Sequence, residues 1–182
     1  MRVNNFDNKN GGIFLPNLFQ LGYATKDMEG AKKALEAHFG ARVWQYSPVL
    51  EAAPGVFMAD AKTWVGDIMI QVQEVTRKPG ASQEPLFWDS PAPEPGQLLR
   101  LHHVAHMIYE DAEWQHILDE AERSRFEIVF QTQFKDILKV VYLDTRAILG
   151  HYLEYILCLP AGYAFFNEAR EEIVRQTAIM RQ

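Results

Sequence analysis

The sequence has a single cysteine, no long apolar run and no cluster of basic residues, and each of these absences excludes a class of protein. One cysteine cannot form an internal disulfide, so the chain is not a disulfide-stapled scaffold. No apolar run approaches the ~20 residues that span a bilayer, and residues 1–20 lack a signal-peptide pattern. The net charge of −6 and the lack of Lys or Arg runs argue against a nucleic-acid partner. We therefore expect a cytoplasmic protein that contacts neither membranes nor nucleic acids.

Apolar residues, in contrast, are plentiful. They make up 48% of the 182 residues, which is enough to bury a core in one domain or in two small packed modules. The cysteine, Cys158, lies in the apolar stretch Tyr155–Leu159 without an activating neighbour in the sequence. Because free cysteines are often buried, we expect a structural thiol here rather than a nucleophile.

The chain contains an internal repeat. Leu18–Asp27 and Leu101–Asp111 are similar segments, each typical of a strand that leads into an acidic helix start. The residues that follow, Met28–Phe39 and Ala112–Arg123, have apolar positions spaced as on one face of a helix. In the first copy, Asp27 is placed to cap the helix. The same strand and helix therefore occur twice.

Three strand-like segments follow each helix, so each half has the order β-α-β-β-β. The predicted strands are 41–49, 56–64 and 67–75 in the first half, then 126–131, 137–143 and 151–157 in the second. Five of the nine prolines lie between the halves, where they exclude a central strand or a long helix. The predicted organisation is a first module at 14–75, a linker at 76–100, a second module at 101–158 and a C-terminal helix at 161–182.

Four residues at matched strand positions can each donate a lone pair to a metal ion. Gln71 follows Gln20 by 51 positions, and Glu154 follows His103 by the same 51. The segment around Glu154 is apolar, so its carboxylate would be costly to bury without a cationic partner. The sequence therefore predicts that Gln20, Gln71, His103 and Glu154 converge on one divalent metal ion.

Small side chains accompany these candidate ligands. Alternate residues of a strand share one face, which places Gly22 and Ala24 beside Gln20, and Ala105 beside His103. This pattern leaves room for a small-molecule substrate.

At these residues the sequence resembles the vicinal oxygen chelate superfamily, which includes glyoxalase I, methylmalonyl-CoA epimerase, extradiol dioxygenases and bleomycin-resistance proteins. The resemblance spans residues 14–158, and the segments His103–Ala105 and Gly150–Glu154 are similar to the ligand motifs of the second module. It implies an α+β fold in which two tandem βαβββ modules form a cupped, barrel-like mixed sheet, followed here by a C-terminal helix. It also implies that the four residues above bind one divalent ion, which could be Zn, Ni, Co, Mn or Mg.

The chemistry varies among members of this superfamily, and the ligand set here mixes the glyoxalase and epimerase patterns. The resemblance favours a metal-dependent glyoxalase-like enzyme, an isomerase, epimerase or lyase that acts on a carbonyl substrate through an enolate-like intermediate. The alternative is a metal-free binding protein of the bleomycin-resistance type, with the strand aromatics as an apolar wall: Trp44, Tyr46, Phe57 and Trp64. An Fe(II) ring-cleaving dioxygenase is a weaker alternative, because Gln20 replaces the first histidine of that class.

The sequence offers several candidates for the general base. Where the epimerases have a glutamate, this chain has Met58. Asp60, two positions on, is a candidate base, although most carboxylates are exposed and a solvated or turn position is the commoner situation for such a residue. Glu154 could itself act as the base, as the resemblance to glyoxalase I implies, and Glu51 and Tyr142 are weaker candidates.

The remaining features have ordinary structural interpretations. The other five histidines are expected to be hydrogen-bonded structural residues: His38, His102, His106, His116 and His151. Phe87 and Trp88 in the linker could form a lid, but we expect a surface anchor. The C-terminal helix is expected to pack on the sheet or on a second subunit, and the resemblance implies a homodimer.

Overall fold

The computed structural model describes residues 15–180, which form two compact units. One unit, called here the His103 unit, contains residues 15–19 together with His103–Ala169. The other, called the Gln20 unit, contains Gln20–His102 together with residues 170–180.

The first β-α-β-β-β run has one helix and five strands, because two short strands take the place of the second strand of that pattern. Its elements are β1 (Leu18–Thr25), α1 (Met28–Phe39), β2 (Gln45–Tyr46), β3 (Leu50–Ala53), β4 (Val56–Val65) and β5 (Ile68–Arg77). In the Gln20 unit the strand order is β2-β4-β5-β1, and β3 also pairs with β4. β1 and β5 are parallel, whereas β4 is antiparallel to its neighbours. A mixed sheet of this kind is what the resemblance implied.

The predicted bounds of α1 are confirmed. A carboxylate oxygen of Asp27 accepts a hydrogen bond from the Gly30 N–H at 2.9 Å, which caps the first turn. The helix ends at Gly40, whose φ of 78° is a conformation that glycine adopts without a Cβ penalty. The prediction of one strand over 41–49 is wrong, because only the two-residue strand β2 forms within that range and β3 follows at Leu50–Ala53. Pro48 lies between them, and proline has no N–H for a sheet ladder.

One face of β5 packs against α1 and the other carries the glutamines. Ala31 and Leu35 of the helix form a buried cluster with Ile70 and Val72. Because side chains alternate along a strand, Gln71 points to the opposite face. The helix therefore fixes which face of β5 carries the candidate ligand.

The second run has the same order of elements with one short helix added. Its elements are β6 (Arg100–Ile108), α2 (Asp111–Ser124), β7 (Ile128–Phe134), β8 (Leu138–Leu143), α3 (Arg146–Leu149) and β9 (Tyr152–Cys158). In the His103 unit the order is β6-β9-β8-β7, with β6 and β9 parallel. The sequence predicted the strands and α2, but it did not predict α3.

Packing in the His103 unit repeats that of the Gln20 unit. Trp114 and Ile117 of α2 are buried in one cluster with Val141, Leu153 and Tyr155. Residues 153 and 155 lie on one face of β9, so residue 154 between them faces away from α2. The two βαβββ modules thus place their candidate ligands on the strand face opposite the helix, as predicted.

The C-terminal helix is also confirmed, as α4 (Pro160–Met180). Tyr163 stacks on Tyr109 in the His103 unit, and Ile173 is buried in the Gln20 unit, so part of the helix packs on its own chain. Within residues 15–180, no helix combines the length and apolar character needed to cross a membrane. The predicted end points 14 and 181–182 lie outside the described residues.

His106 is a buried histidine with a structural role, as expected. Its Nδ1 lies 2.6 Å from the carbonyl oxygen of Pro16, and its ring stacks on Tyr155 with centroids 5.6 Å apart. Burial is the main cause that lowers the pKa of His106 below its usual value. The hydrogen bond to the Pro16 carbonyl raises the pKa in part, and the nearby His151 lowers it.

This lowered pKa predicts an acid-sensitive fold. The unfolded chain protonates His106 near its ordinary pKa of about 6.5, whereas the folded chain resists protonation, so stability falls as the pH drops below that value. His106→Phe keeps an aromatic ring against Tyr155 but cannot titrate. In urea unfolding between pH 7.5 and pH 5, we expect this variant to lose stability less steeply, by up to about 1.4 kcal/mol per pH unit. Equal slopes for the two proteins would contradict this account.

Candidate metal-binding site

His103 and Glu154 form a buried pair in the His103 unit. The parallel register of β6 and β9 places Ala105 opposite Glu154, so the small alanine leaves space between the two longer side chains. Nε2 of His103 lies 3.2 Å from Oε2 of Glu154. The two residues are 0% and 4% exposed. The structure therefore brings together these two predicted ligands.

The spacing of this pair suits two ligands of one ion. Ligand atoms bound at about 2.0–2.2 Å from a metal lie roughly 3–3.5 Å apart when the angle between them is tetrahedral or octahedral. An imidazole nitrogen and a carboxylate oxygen are both common metal ligands. A buried carboxylate is costly unless a cation or donors compensate its charge. The chemistry of the pair thus fits a divalent ion.

Tyr142 completes this cluster. It lies directly opposite Glu154 in the antiparallel register of β8 and β9. Its ring packs edge-on against His103, with centroids 5.3 Å apart, and it is 4% exposed. Tyr142 therefore contributes a wall that limits how His103 can turn.

Gln20 and Gln71 form the corresponding pair in the Gln20 unit. The parallel register of β1 and β5 places Gly22 opposite Gln71, and the missing side chain at Gly22 gives the glutamine room. Nε2 of Gln20 donates a hydrogen bond to Oε1 of Gln71 at 2.5 Å. Both side chains are buried. The repeat in the sequence thus corresponds to a repeat in the structure, because the matched residues of each half meet within their own unit.

Asp60 is buried beside Gln71, so the expectation of a solvated carboxylate is wrong. It is 7% exposed and lies on β4, an inner strand with neighbours on both sides. One carboxylate oxygen accepts from Nε2 of Gln71 at 3.2 Å, and the other lies 2.6 Å from Nζ of Lys62. Lys62 also donates to the Ser47 hydroxyl at 2.7 Å. The sequence analysis missed Lys62, although its position two residues after Asp60 on a strand placed it on the same face.

The other candidate bases have less suitable surroundings. Met58, which stands where the epimerases have a glutamate, is buried and cannot take a proton. Glu51 is exposed, and its carboxylate accepts from the Gly55 N–H at 2.9 Å in the turn before β4. It therefore serves the turn rather than the buried pairs.

The four strand aromatics have different surroundings. Trp44 packs against the α1 cluster and donates its indole N–H to Glu36 at 2.8 Å. Tyr46 is 61% exposed. Phe57 and Trp64 each lie beneath a basic side chain. These contacts give no reason to assign the aromatics a common ligand-binding role.

The linker turn Phe87–Asp89 is held down by side chains of the sheet. Gln73 of β5 donates to the carbonyl of Trp88 at 2.7 Å, and Nε2 of His102 lies 2.9 Å from the carbonyl of Phe87. Both side chains are buried. The turn is therefore an anchored segment, in agreement with the expected surface anchor, and His102 has the predicted structural role.

Cys158 and the acidic side chains that the structure describes do not form a second metal site. Cys158 is buried, and burial raises the pKa of its thiol, so the predicted structural role is confirmed. In the part of the chain that the structure describes, no three His, Cys, Asp or Glu side chains cluster as a metal site. The candidate ligands comprise one histidine, one glutamate and two glutamines, so the amides are an essential part of the hypothesis.

Comparisons with known proteins find a likeness in fold. No protein-family model matches it, and no curated protein matches it. Among solved structures, methylmalonyl-CoA epimerase from Mycobacterium tuberculosis is 15% identical and matches with a TM-score of 0.53, over 82% of this chain and 93% of that chain. A methylmalonyl-CoA epimerase in complex with methylmalonyl-CoA and NH4+ is 16% identical, with a TM-score of 0.51 over 81% of this chain and 98% of that chain.

A third structure gives the same result. A variant of the Streptomyces coelicolor epimerase, in complex with 2-nitronate-propionyl-CoA, is 16% identical and has a TM-score of 0.51, over 81% of this chain and 98% of that chain. At these identities the likeness concerns the fold alone. It agrees with the two βαβββ modules described above. The chain therefore shares the fold of these epimerases, in agreement with the fold that its sequence predicted.

Proposed function

We propose that this chain is a metal-dependent, glyoxalase-like enzyme, an isomerase, epimerase or lyase that removes a proton from a carbon next to a carbonyl group. The observation that carries the proposal is the buried pair of His103 and Glu154, with ligand atoms 3.2 Å apart. A buried carboxylate is costly unless a cation or hydrogen-bond donors compensate its charge, and a metal ion bound by this pair would provide that compensation. The fold likeness to epimerases supports the same class of reaction.

We assign four residues to one divalent ion, which is Zn, Ni, Co, Mn or Mg: Gln20, Gln71, His103 and Glu154. Within each unit the two ligands of a pair already meet, and the identical spacing of the pairs in the sequence is the reason for assigning them together. When bound, the ion supplies positive charge that stabilises the anion formed from a carbonyl substrate. Two neutral amides, one imidazole and one carboxylate leave the centre a net positive charge.

Glu154 is the base that we assign first. Its carboxylate is buried beside His103, and a carboxylate in such surroundings can both hold and transfer a proton. Asp60 is the second candidate. Both of its oxygens already accept hydrogen bonds, from Gln71 and Lys62, which makes it the less available of the two.

The substrate is proposed to be a small carbonyl compound, and acyl-CoA thioesters are the first class to test. Methylmalonyl-CoA and 2-nitronate-propionyl-CoA occupy epimerases of the same fold. A thioester carbonyl next to a second oxygen-bearing group offers two oxygens to a metal and an acidic C–H between them.

The test is exchange of the substrate's α-hydrogen in deuterated water. Apo protein is loaded with each of the five metals, and a panel of 2-substituted thioesters and 2-oxoaldehyde adducts is followed by mass spectrometry. We expect exchange above the uncatalysed rate, lost with EDTA and restored by metal. Tight binding of a panel member that is indifferent to EDTA and to Glu154→Ala, without exchange, would instead identify a metal-free binding protein. Oxygen uptake that depends on Fe(II) would identify a dioxygenase.

A further inference from the structure

The side-chain amide of Gln71 can bind a cation only through its oxygen, so its orientation matters. An amide carries an acceptor oxygen at one end and a donor nitrogen at the other. Asp60 lies 3.2 Å from the amide nitrogen of Gln71. A carboxylate only accepts hydrogen bonds, so the end of Gln71 that faces Asp60 has to be its nitrogen. The contact therefore turns Oε1 of Gln71 away from Asp60.

Asp60 is itself held in place on two sides. Its other oxygen lies 2.6 Å from Nζ of Lys62, which is fastened in turn to the Ser47 hydroxyl. Lys62 stands directly opposite Gln71 in the β4–β5 register. Because the two carboxylate oxygens contact different donors, the group cannot rotate without losing one of them. Lys62, Asp60 and Gln71 thus form a continuous chain of hydrogen bonds on one face of the β4–β5 hairpin.

We infer that Asp60 is a positioning residue, which holds the Gln71 amide with its oxygen turned toward Gln20 and the proposed metal ion. The inference rests on the proposed metal site. Partners of this kind orient metal ligands in many proteins, and their loss typically weakens binding ~10–100-fold. The adjacent ammonium of Lys62 offsets the charge of Asp60, so orientation rather than added negative charge is its contribution.

The test is calorimetric titration of Mn²⁺ into apo protein, with Asp60→Asn as the main variant. Asparagine has one acceptor oxygen for the two donors, Lys62 and Gln71. Its NH₂ group can donate to the Gln71 oxygen, which allows the Gln71 amide to flip end for end. We expect Asp60→Asn to weaken Mn²⁺ binding about 10–100-fold. Asp67→Asn is the matched control. Asp67 lies in the turn of the same β4–β5 hairpin and pairs with Arg170, but it contacts no candidate ligand. This variant should therefore leave Mn²⁺ binding unchanged.

Gln71→Glu separates orientation from charge, because a carboxylate presents an oxygen at either end and needs no orienting partner. In that background, Asp60→Asn is expected to change Mn²⁺ affinity by less than ~3-fold, within the range seen for independent sites. An equal loss of affinity in both backgrounds would show that Asp60 acts through its charge and would overturn the inference.

A second variant covers the case in which Asp60→Asn does not fold, as judged by thermal unfolding of the apo protein. Lys62→Met removes a positive charge, so a purely electrostatic role predicts tighter Mn²⁺ binding, whereas loss of positioning predicts weaker binding. Tighter binding overturns the inference. If the parent protein binds Mn²⁺ and Asp60→Asn binds it equally well, the inference alone fails. If the parent binds another of the five proposed metals but not Mn²⁺, the same titrations are made with that metal. If it binds none of the five, the proposed function itself fails.

Discussion

Glu154→Gln is expected to lower divalent-metal affinity more than 100-fold, since even the outer partners of metal ligands are worth ~10–100-fold. The change removes the sole carboxylate of the proposed ligand set and keeps the size of the side chain. It also removes the proposed base, so proton exchange on an active substrate should fall by about 10²–10⁴ even at saturating metal. Calorimetry with Mn²⁺ and exchange in deuterated water measure the two effects separately.

Glu120→Gln is the matched control for this variant. Glu120 is also a buried glutamate, 8% exposed, but it lies on α2 and pairs with Arg123. We expect normal metal affinity and exchange from this variant. Metal affinity in Glu154→Gln within a few-fold of the parent would contradict the assignment of Glu154 as a ligand.

The two adjacent histidines of β6 provide the second large effect. His103→Ala is expected to reduce metal affinity at least ~100-fold, because it removes a ligand from a buried pair with Glu154. His102 is equally buried, but its ring nitrogen lies against the carbonyl of Phe87 instead. His102→Ala should therefore leave metal affinity within about 2-fold of the parent, while lowering stability by ~1 kcal/mol through the lost hydrogen bond to the Phe87 carbonyl.

Urea unfolding of the apo proteins and calorimetry with Mn²⁺ distinguish the two variants. We expect metal affinity to be lost in His103→Ala and retained in His102→Ala. Loss of metal affinity in both variants, in proportion to their loss of stability, would indicate that metal binding reports only on folding. Unchanged affinity in His103→Ala would remove that residue from the ligand set.

The sequence predicted those parts of the fold that local patterns determine. The bounds of α1 followed from the cap at Asp27 and the glycine at Gly40, and both act within one turn of the helix. The face of each ligand strand followed from alternation, since Ile70 and Leu153 had to pack on helices. The repeated spacing of 51 residues predicted which candidate ligands pair with each other, and no single motif could have shown this.

Features that depend on contacts between distant residues escaped prediction. Asp60 was expected at the surface because its sequence neighbours do not show that Gln71, eleven positions away, meets it across the β4–β5 hairpin. The cap of α2 is a local feature that was missed as well. Asp111 begins that helix, but Glu113 makes the capping hydrogen bonds by reaching back to the Glu110 and Tyr109 N–H groups.

The claim that most needs a test is that four matched strand residues hold one metal ion. Elemental analysis of protein saturated with Mn²⁺ and then freed of excess ion by gel filtration measures this directly. The account predicts about one ion per chain in the parent, and much less in each of four single variants, given a mutational loss of ~10–100-fold or more per ligand: Gln20→Ala, Gln71→Ala, His103→Ala and Glu154→Ala. A parent that retains none of the five proposed ions when each is tested in this way, or variants that retain as much as the parent, would contradict it.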